Sequence, residues 1–236
     1  DGDALRVWRA HLLGEDTAPD SGGDYDLVVV GGGLAGTCAA IAAAERGLTV
    51  ALIQDRPVLG GNTSGEIRVR SEGETRHRIV AAVANGYENT DPRAHLADTN
   101  RLNEVAKYPS ISLFTGWRAY GLTTNSLRHI TAVDARQMGS GLRRRFSAPL
   151  FVDGTGDGCL GFWAGASFRM GREAASEFNE SRAPAVADAM TMGNSLMWTS
   201  RIDVAESLFP AVPWGLTIAG SRESLGGGWE IGRAQV

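Results

Sequence analysis

The segment that most constrains the fold is residues 26–55, DLVVVGGGLAGTCAAIAAAERGLTVALIQD. A short apolar run at residues 27–30 ends in consecutive glycines, and a small-residue pattern typical of a helix continues as far as Arg46. Gly47 then stands where a helix C-cap is expected, and a second β-type run at residues 49–53 closes the segment. This order of strand, glycines, helix and strand predicts a parallel βαβ unit.

Within this unit Gly31, Gly33 and Gly36 form a G-x-G-x-x-G motif, with Leu34 and Ala35 inside it. The first glycine allows a tight turn, the second lets a pyrophosphate approach the backbone, and the third lets the helix lie close to the strand. The first helical turn also offers free N–H groups and a partial positive charge to a phosphate. The motif in this context predicts a dinucleotide site, and the alternative is a glycine-rich turn in an ordinary α/β unit.

The residues after the second strand bear on which nucleotide is bound. A carboxylate about 20 residues beyond the glycines usually bonds the ribose hydroxyls. Here that place holds Gln54, followed by Asp55 and Arg56. Gln54 can still hydrogen-bond a hydroxyl, but without charge. Asp55 points either at the ribose or into solvent, and Arg56 either meets a 2′-phosphate or is a solvated surface residue.

Composition excludes several classes of protein. The chain has 236 residues, is 43% hydrophobic and carries a net charge of −4, which predicts a globular protein with a sizeable core. It has no apolar run of about 18 residues, so we expect no membrane span, and its mild acidity gives no indication of nucleic-acid binding. Cys38 and Cys159 make no disulfide framework, and the histidines lack metal-ligand spacing, so no metal site is predicted.

The ends of the chain carry two further expectations. The N-terminus shows no signal-peptide core, which predicts a cytoplasmic protein. Because the chain does not begin with Met, we expect it to start inside a larger gene product or after processing.

Three β-type runs follow the first unit, at residues 111–122, 129–137 and 145–152, and turn signals separate them. They predict an antiparallel meander, at about residues 110–147, whose last strand re-enters a larger sheet. That strand leads into residues 153–158, DGTGDG. A second strand of the chain therefore also ends in a glycine-rich turn that suits close approach of a ligand to the backbone.

The chain is expected to have three parts. They are an N-terminal extension at 1–24, irregular apart from a short helix at about 4–13, a nucleotide-binding domain at 25–160, and a partial substrate or cap domain at 161–236. Further elements are predicted as helices near 79–83, 95–106 and 160–164, a long loop or helix at 168–190, and strands at 192–199 and 212–219.

Four blocks of sequence resemble one protein family. They are VVVGGGLAG, LIQDRPVLGGN, APLFVDGTGDGCLGFWAGA, and FRMGREAASEFNE continuing to TMGNSLMW. In this order they resemble FAD-dependent oxidoreductases with the glutathione-reductase-like, two-dinucleotide-binding fold, above all the broad bacterial group of that name. The resemblance implies an α/β fold: a Rossmann-like FAD-binding domain with a parallel sheet, an inserted antiparallel β-meander and part of a mixed substrate domain. The closing flavin-domain segment is not visible, so we expect the chain to be incomplete at its C-terminus.

The resemblance also implies that FAD, rather than free NAD, is the cofactor, and it indicates where FAD lies. The predicted cofactor-binding residues are Gly31, Gly33, Leu34, Ala35 and Gly36 at the diphosphate, Gln54, Asp55 and Arg56 at the adenosine ribose, Gly60, Gly61 and Asn62 toward the flavin ring, and Thr155, Gly156 and Asp157 beside the adenosine half.

The catalytic residues are less well defined by the sequence. Glu66 or His77 is a candidate general base, provided that burial shifts its pKa. Arg169 or Arg172 is a candidate clamp for a substrate carboxylate. Each has an alternative: the histidine lies between two arginines and is solvated, and the two arginines belong to a network of surface ion pairs.

Three functions are compatible with these features. The first is an FAD-dependent oxidoreductase that transfers hydride or electrons between a small organic substrate and the flavin. The second is an NAD(P)-dependent Rossmann dehydrogenase without flavin, and the third is a non-catalytic dinucleotide-binding fragment. A glycine-rich turn that follows a meander favours the first over the second, while the missing closing segment keeps the third open. The sequence does not specify the substrate, the electron acceptor or the oligomeric state.

Overall fold

The computed structural model describes residues 2–15, 17–69, 71, 73, 77–84 and 93–192. In chain order the helices and strands are α1 (Gly2–Leu12), β1 (Asp20–Asp24), β2 (Leu27–Val30), α2 (Leu34–Ala44), β3 (Val50–Gln54), a short 3₁₀ turn (Gly61–Thr63), α3 (Arg78–Ala84), α4 (Ala94–Ala106), β4 (Ile111–Thr115), β5 (Trp117–Thr124), β6 (Ile130–Gln137), β7 (Arg143–Ser147), β8 (Leu150–Asp153), α5 (Cys159–Trp163) and α6 (Ala175–Phe178).

The centre of the fold is a parallel sheet with the strand order β4-β3-β2-β8. Every residue of β2 and β3 is buried, as expected for apolar strands covered on both faces. Strands β2 and β8 are direct neighbours, and Val30 pairs with Asp153 at their carboxyl ends. The two glycine-rich turns predicted from the sequence therefore leave the sheet side by side.

A second sheet has the order β1-β7-β6-β5. Strands β5, β6 and β7 pair antiparallel and form the predicted meander, while β1 pairs parallel with β7. The combination of a Rossmann-like parallel sheet with an inserted antiparallel meander confirms the predicted fold class.

The strand boundaries differ from the prediction at two places. Residues 111–122 were expected to be one strand of the meander, but the chain turns at Gly116, where φ is +72°. Strand β4 joins the parallel sheet beside β3, and only β5 belongs to the meander. The run at 145–152 likewise divides at Pro149 into β7 and β8. The apolar pattern continues through both breaks, so it could not reveal that the chain changes sheets.

The N-terminal segment also differs from the prediction. The expected short helix is present as α1, but residues 20–24 are not irregular: they form the edge strand β1. The sequence DSGGD has low strand propensity, so pairing with β7 creates this strand. Gly22 allows the pairing because a Cβ there would lie 2.8 Å from the ring of Phe146.

Successive side chains of β2 point alternately into two layers of the core. Leu27 and Val29 face a cluster that includes side chains of α2, α3 and α4. Val28 and Val30 face the opposite cluster, which is built around the meander and includes Phe146. The alanines of α2 let this helix lie close to the sheet. The parallel sheet is thus covered by helices on one face and by the meander on the other.

The remaining predicted elements have mixed outcomes. Helices α3, α4 and α5 confirm the helices predicted near 79–83, 95–106 and 160–164. Residues 168–190 are mainly loop, with the short helix α6. The strands predicted at 192–199 and 212–219 lie outside the described residues. Within the described ranges, each helix is too short or too polar to traverse a lipid bilayer.

Candidate cofactor site

The two glycine-rich turns touch each other through their main chains. Gly31 has a φ of +99°, and a Cβ on it would lie 2.2 Å from the carbonyl oxygen of Gly154. A Cβ on Gly154 would in turn lie 2.9 Å from the carbonyl oxygen of Gly31. The N–H of Gly154 donates a hydrogen bond to the carbonyl oxygen of Val30 at 2.7 Å. The contact therefore leaves no space for a side chain on either glycine.

The other two glycines of the motif differ in the space around them. A Cβ on Gly36 would lie 1.9 Å from the carbonyl oxygen of Gly31, so this glycine lets α2 lie against the turn. Gly33 has an ordinary φ of −65°, and the nearest atom to a Cβ there is the Cα of Gly61 at 4.0 Å. The bare face of Gly33 is thus open, as required where a phosphate approaches the backbone.

A cleft of about 430 Å³ lies along these turns, outside the carboxyl ends of β2, β3 and β8. Ligands of open α/β sheets bind at this edge, at the point where the strand order reverses. Every predicted cofactor-binding residue except Gly36 lines the cleft. The structure thus brings together four segments that are far apart in the sequence.

The side chain of Gln54 differs from the role predicted for it at the ribose. It is buried, its Oε1 accepts a hydrogen bond from the N–H of Gly32 at 2.8 Å, and its Nε2 donates one to the carbonyl oxygen of Val58 at 3.0 Å. Both ends of the amide are therefore bonded to the main chain, and the side chain joins the first turn to the next loop. The exposed Asp55 is the carboxylate that remains at this part of the cleft.

The loop that begins at Gly60 runs beside the first glycine-rich turn. The N–H of Gly60 donates to the carbonyl oxygen of Gly32 at 2.8 Å, and Gly60 forms a parallel bridge with Gly33. This pairing places Gly61 and Asn62 along the cleft. Behind the loop lies a buried ion pair of α4, between Asp98 and Arg101, that the sequence analysis did not identify.

Asp153 organises the second glycine-rich turn, and it was also missed. Its Oδ1 accepts hydrogen bonds from the N–H and the hydroxyl of Thr155, at 3.1 and 2.7 Å. Its Oδ2 accepts from the N–H groups of Leu160 and Gly161, at 2.7 and 3.1 Å. Burial raises the pKa of Asp153, but these hydrogen bonds outweigh it and hold the pKa below its ordinary value. An Asp between a strand and a helix start is the sequence signal for this role.

Aromatic and cationic residues complete the cleft. Trp117 and Arg118 line it at the start of β5, and Cys159 and Trp163 line it on α5. The guanidinium of Arg144 lies over the ring of Trp117 at 5.3 Å, which holds the ring in place. Trp163 packs against the meander core and also borders the cleft.

The two candidate bases do not line the cleft. Glu66 is exposed, and its Oε2 is 3.6 Å from Nη1 of Arg56. His77 is exposed at the start of α3. Neither residue has the buried surroundings that a base role requires. Within the described residues, His, Cys, Asp and Glu form no group of three that could hold a metal ion.

The two candidate arginines have partners within the chain. Arg169 forms a forked ion pair with Glu177, and Arg172 forms one with Asp188. Hydrogen bonding to these arginines lowers the pKa of both carboxylates. All four residues are outside the cleft lining. The structure therefore favours surface ion pairs over the predicted substrate clamp.

Comparison with known proteins gives the family. Residues 26–215 match the family described as FAD dependent oxidoreductase. An NADH:fumarate oxidoreductase of Klebsiella pneumoniae (strain 342) is 40% identical over 75 residues, which cover 32% of this chain and 8% of that relative.

Two solved structures show the range of structural similarity. The THI4 protein of Thermovibrio ammonificans is 19% identical, with a TM-score of 0.49, over 79% of this chain and 82% of that one. The FAD-dependent chondrochloren halogenase of a myxobacterium is 18% identical, with a TM-score of 0.42, over 57% of this chain and 37% of that one. The family match covers most of the chain and includes both glycine-rich turns, so this protein belongs to the FAD dependent oxidoreductase family, whose cofactor is FAD.

Proposed function

We propose that this chain binds FAD in the cleft between its two glycine-rich turns, and that the flavoprotein transfers hydride or electrons between a small organic substrate and the flavin. The observation that carries the proposal is the main-chain contact of Gly31 with Gly154, because it joins both turns into one cradle at the edge of the sheet. FAD supplies the redox chemistry when it is bound, and the protein supplies position and electrostatics.

The residues present fit the diphosphate and adenosine parts of FAD. The open face of Gly33 and the free N–H groups at the start of α2 suit a diphosphate. Asp55 is available to accept hydrogen bonds from ribose hydroxyls. Arg56 also lines this part of the cleft, and its Nη1 makes no hydrogen bond within the described part of the chain, with Oε2 of Glu66 3.6 Å away.

A second candidate function is a dinucleotide-binding protein without turnover. One observation favours it: none of Glu66, His77, Arg169 and Arg172 lines the cleft. The third candidate, an NAD(P)-dependent dehydrogenase, shares the glycine motif, but the family match favours FAD over it. A cytoplasmic location and a small-molecule substrate also stay predictions.

The binding proposal is tested by comparing Gly33→Ala with Gly121→Ala. Neither substitution meets a close contact, since a Cβ at Gly121 has no neighbour within 4 Å. Both variants should fold like the wild type. Gly33→Ala should weaken FAD binding about tenfold or more, equivalent to about 1.4 kcal/mol, because the methyl group fills the space of the diphosphate. Gly121→Ala should leave the affinity unchanged.

Each protein is titrated with FAD, and the quenching of flavin fluorescence reports binding. NADH and NADPH are titrated in parallel. Equal FAD affinity of the two variants would show that the diphosphate does not lie on Gly33. Binding of NADPH in preference to FAD would support the dehydrogenase instead. If FAD binds, bleaching of its absorption by candidate substrates separates an enzyme from a binding protein without turnover.

A further inference from the structure

The loop at residues 60–65 is supported from behind by an ion pair in the interior of the protein. Arg101 is fully buried and Asp98 is 8% exposed, both on α4. Nη1 of Arg101 donates a hydrogen bond to Oδ1 of Asp98 at 3.0 Å. Neither side chain lines the cleft.

Both partners of the pair also bond to the main chain of the loop. Nη2 of Arg101 donates to the carbonyl oxygen of Thr63 at 3.0 Å, and its Nε donates to the carbonyl oxygen of Val83 at 2.9 Å. The two carboxylate oxygens of Asp98 accept from the N–H of Gly65, at 2.9 and 3.0 Å. The pair therefore connects α4 to the second half of the loop and to the end of α3.

The guanidinium also lies against the first residue of the loop. Gly60 has a φ of +111°, and a Cβ there would lie 2.9 Å from Cζ of Arg101. On their other side, Gly60, Gly61 and Thr63 line the cleft. The planar guanidinium thus packs against one side of the loop, and the cofactor cleft lies along the other side.

Stability alone is a weak reason for this arrangement. Burial lowers the pKa of Arg101, and the neighbouring Asp98 partly offsets that effect. Replacing both partners of a buried ion pair by apolar residues of similar volume is often neutral for stability, whereas removing one partner is costly. What an apolar pair cannot do is bind the loop's carbonyl and N–H groups in fixed directions.

We propose that Arg101 and Asp98 are positioning residues that hold residues 60–65 in the conformation that meets FAD, without touching FAD themselves. This inference rests on the proposed FAD site. It predicts that the pair affects cofactor affinity through the shape and mobility of the loop.

The test is the double variant Arg101→Met/Asp98→Leu, which removes both charges and keeps most of the volume. We expect its thermal unfolding to stay near that of the wild type. Hydrogen–deuterium exchange of residues 58–69 in the ligand-free protein should become about tenfold faster, while exchange of β2 and α2 stays unchanged. The Kd for FAD should rise about tenfold or more, because the loop is no longer preorganised.

A matched control is available at the C-terminal end of the same helix. Glu104 and Lys107 form an ion pair with the same spacing, and Lys107 is exposed. Lys107→Met/Glu104→Leu should change neither loop exchange nor FAD affinity. Arg101→Lys keeps the charge but loses the fork, so it should show an intermediate loss. It replaces the double variant as the test if the double variant does not fold.

The outcomes separate this inference from the proposed function. Wild-type protein that fails to bind FAD overturns both. Wild-type protein that binds FAD, with a folded double variant that matches it in affinity or in loop exchange, overturns the positioning role alone. Loss of affinity together with faster exchange confined to residues 58–69 supports it, and so does recovery of part of both in Arg101→Lys.

Discussion

The motif glycines at this site differ in how much space surrounds them. The motif predicts a different role for each glycine, and in the structure Gly36 lies against the main chain of Gly31 while Gly33 faces open space. Their substitutions should therefore separate folding from cofactor binding.

Gly36→Ala should destabilise the fold even without cofactor. Its Cβ would lie 1.9 Å from the carbonyl oxygen of Gly31, so α2 would have to move away from the turn. Overpacking of this kind costs about 1–3 kcal/mol. Urea unfolding of the ligand-free protein measures the loss, with Gly33→Ala as the matched control that should stay near wild type. Equal midpoints for the two variants would contradict the close contact.

Asp153 should make stability depend on pH. Its pKa in the folded protein is below the ordinary value of 3.8, so its contribution is present at neutral pH. That contribution is lost as the pH falls through the folded pKa, because the protonated carboxyl no longer accepts all the hydrogen bonds. Asp153→Ala should cost about 1 kcal/mol at neutral pH, as for the loss of a helix cap. The difference between variant and wild type, measured by urea unfolding, should shrink as the pH is lowered below 3.8; a constant difference would exclude this role.

Which residue-level roles the sequence reveals depends on how local their contacts are. Gly31 and Gly33 were identified because a short G-x-G-x-x-G motif between a strand and a helix reveals their role without knowledge of their distant neighbours. Gln54 was assigned to the ribose because its bonds to Gly32 and Val58 depend on how two loops meet. Arg101 gave no signal, since an Arg on a helix is usually solvated and only the tertiary structure buries it.

At the scale of elements, an exposed network connects α2 with the helices beside it. Oε2 of Glu45, just after α2, accepts a hydrogen bond from Arg78 at 2.7 Å, and its Oε1 accepts one from the hydroxyl of Tyr108 at 2.7 Å. The hydrogen bonds from Arg78 and Tyr108 lower the pKa of Glu45 to about 2. Three chain segments thus meet at one carboxylate.

This network predicts an effect of acid on the helix layer. With a folded pKa of about 2 against an ordinary 4.5, Glu45 contributes stability above about pH 4.5 and loses it as the pH falls toward 2. Glu45→Gln should therefore lower Tm at neutral pH, and the difference should vanish at about pH 2. The exposed Glu180→Gln serves as the control. A Glu45→Gln difference that persists unchanged in acid would contradict the pKa shift.

Helices and strands could be predicted from the sequence where a continuous apolar pattern had clear boundaries. Strand β2, helix α2 and strand β3 combine apolar runs with glycine boundaries, and all were predicted. Strand β4 was merged with β5 because only the backbone turn at Gly116 separates them. Strand β1 has no apolar side chain to reveal it, since its pairing with β7 creates it.

At the scale of the whole described region, the parallel sheet lies between helices and a meander, and both glycine-rich turns leave it at one edge. Because the cleft draws on turns after three different strands, cofactor binding should stabilise the domain as a unit. The stretch matched to the Klebsiella pneumoniae relative covers only 8% of that protein's length, so this effect is predicted for the domain that holds the cofactor cleft.

FAD should therefore raise the Tm of the purified chain. At a free concentration about 100 times its Kd, a ligand that binds only the folded state contributes about 2.7 kcal/mol. For a chain of this size, that corresponds to a rise of about 5–11 °C. Thermal unfolding followed by circular dichroism measures the shift, and Gly33→Ala at the same FAD concentration should show a smaller one. An identical Tm with and without saturating FAD would contradict binding to the folded domain.

The junction between Gly31 and Gly154 limits how this scaffold can be redesigned. It consists of backbone alone, so an engineer has no side chain there to exchange. Retargeting the domain to another nucleotide has to begin with cleft-lining side chains such as Asp55, Arg56 and Arg118, while the contact between Gly31 and Gly154 is kept unchanged.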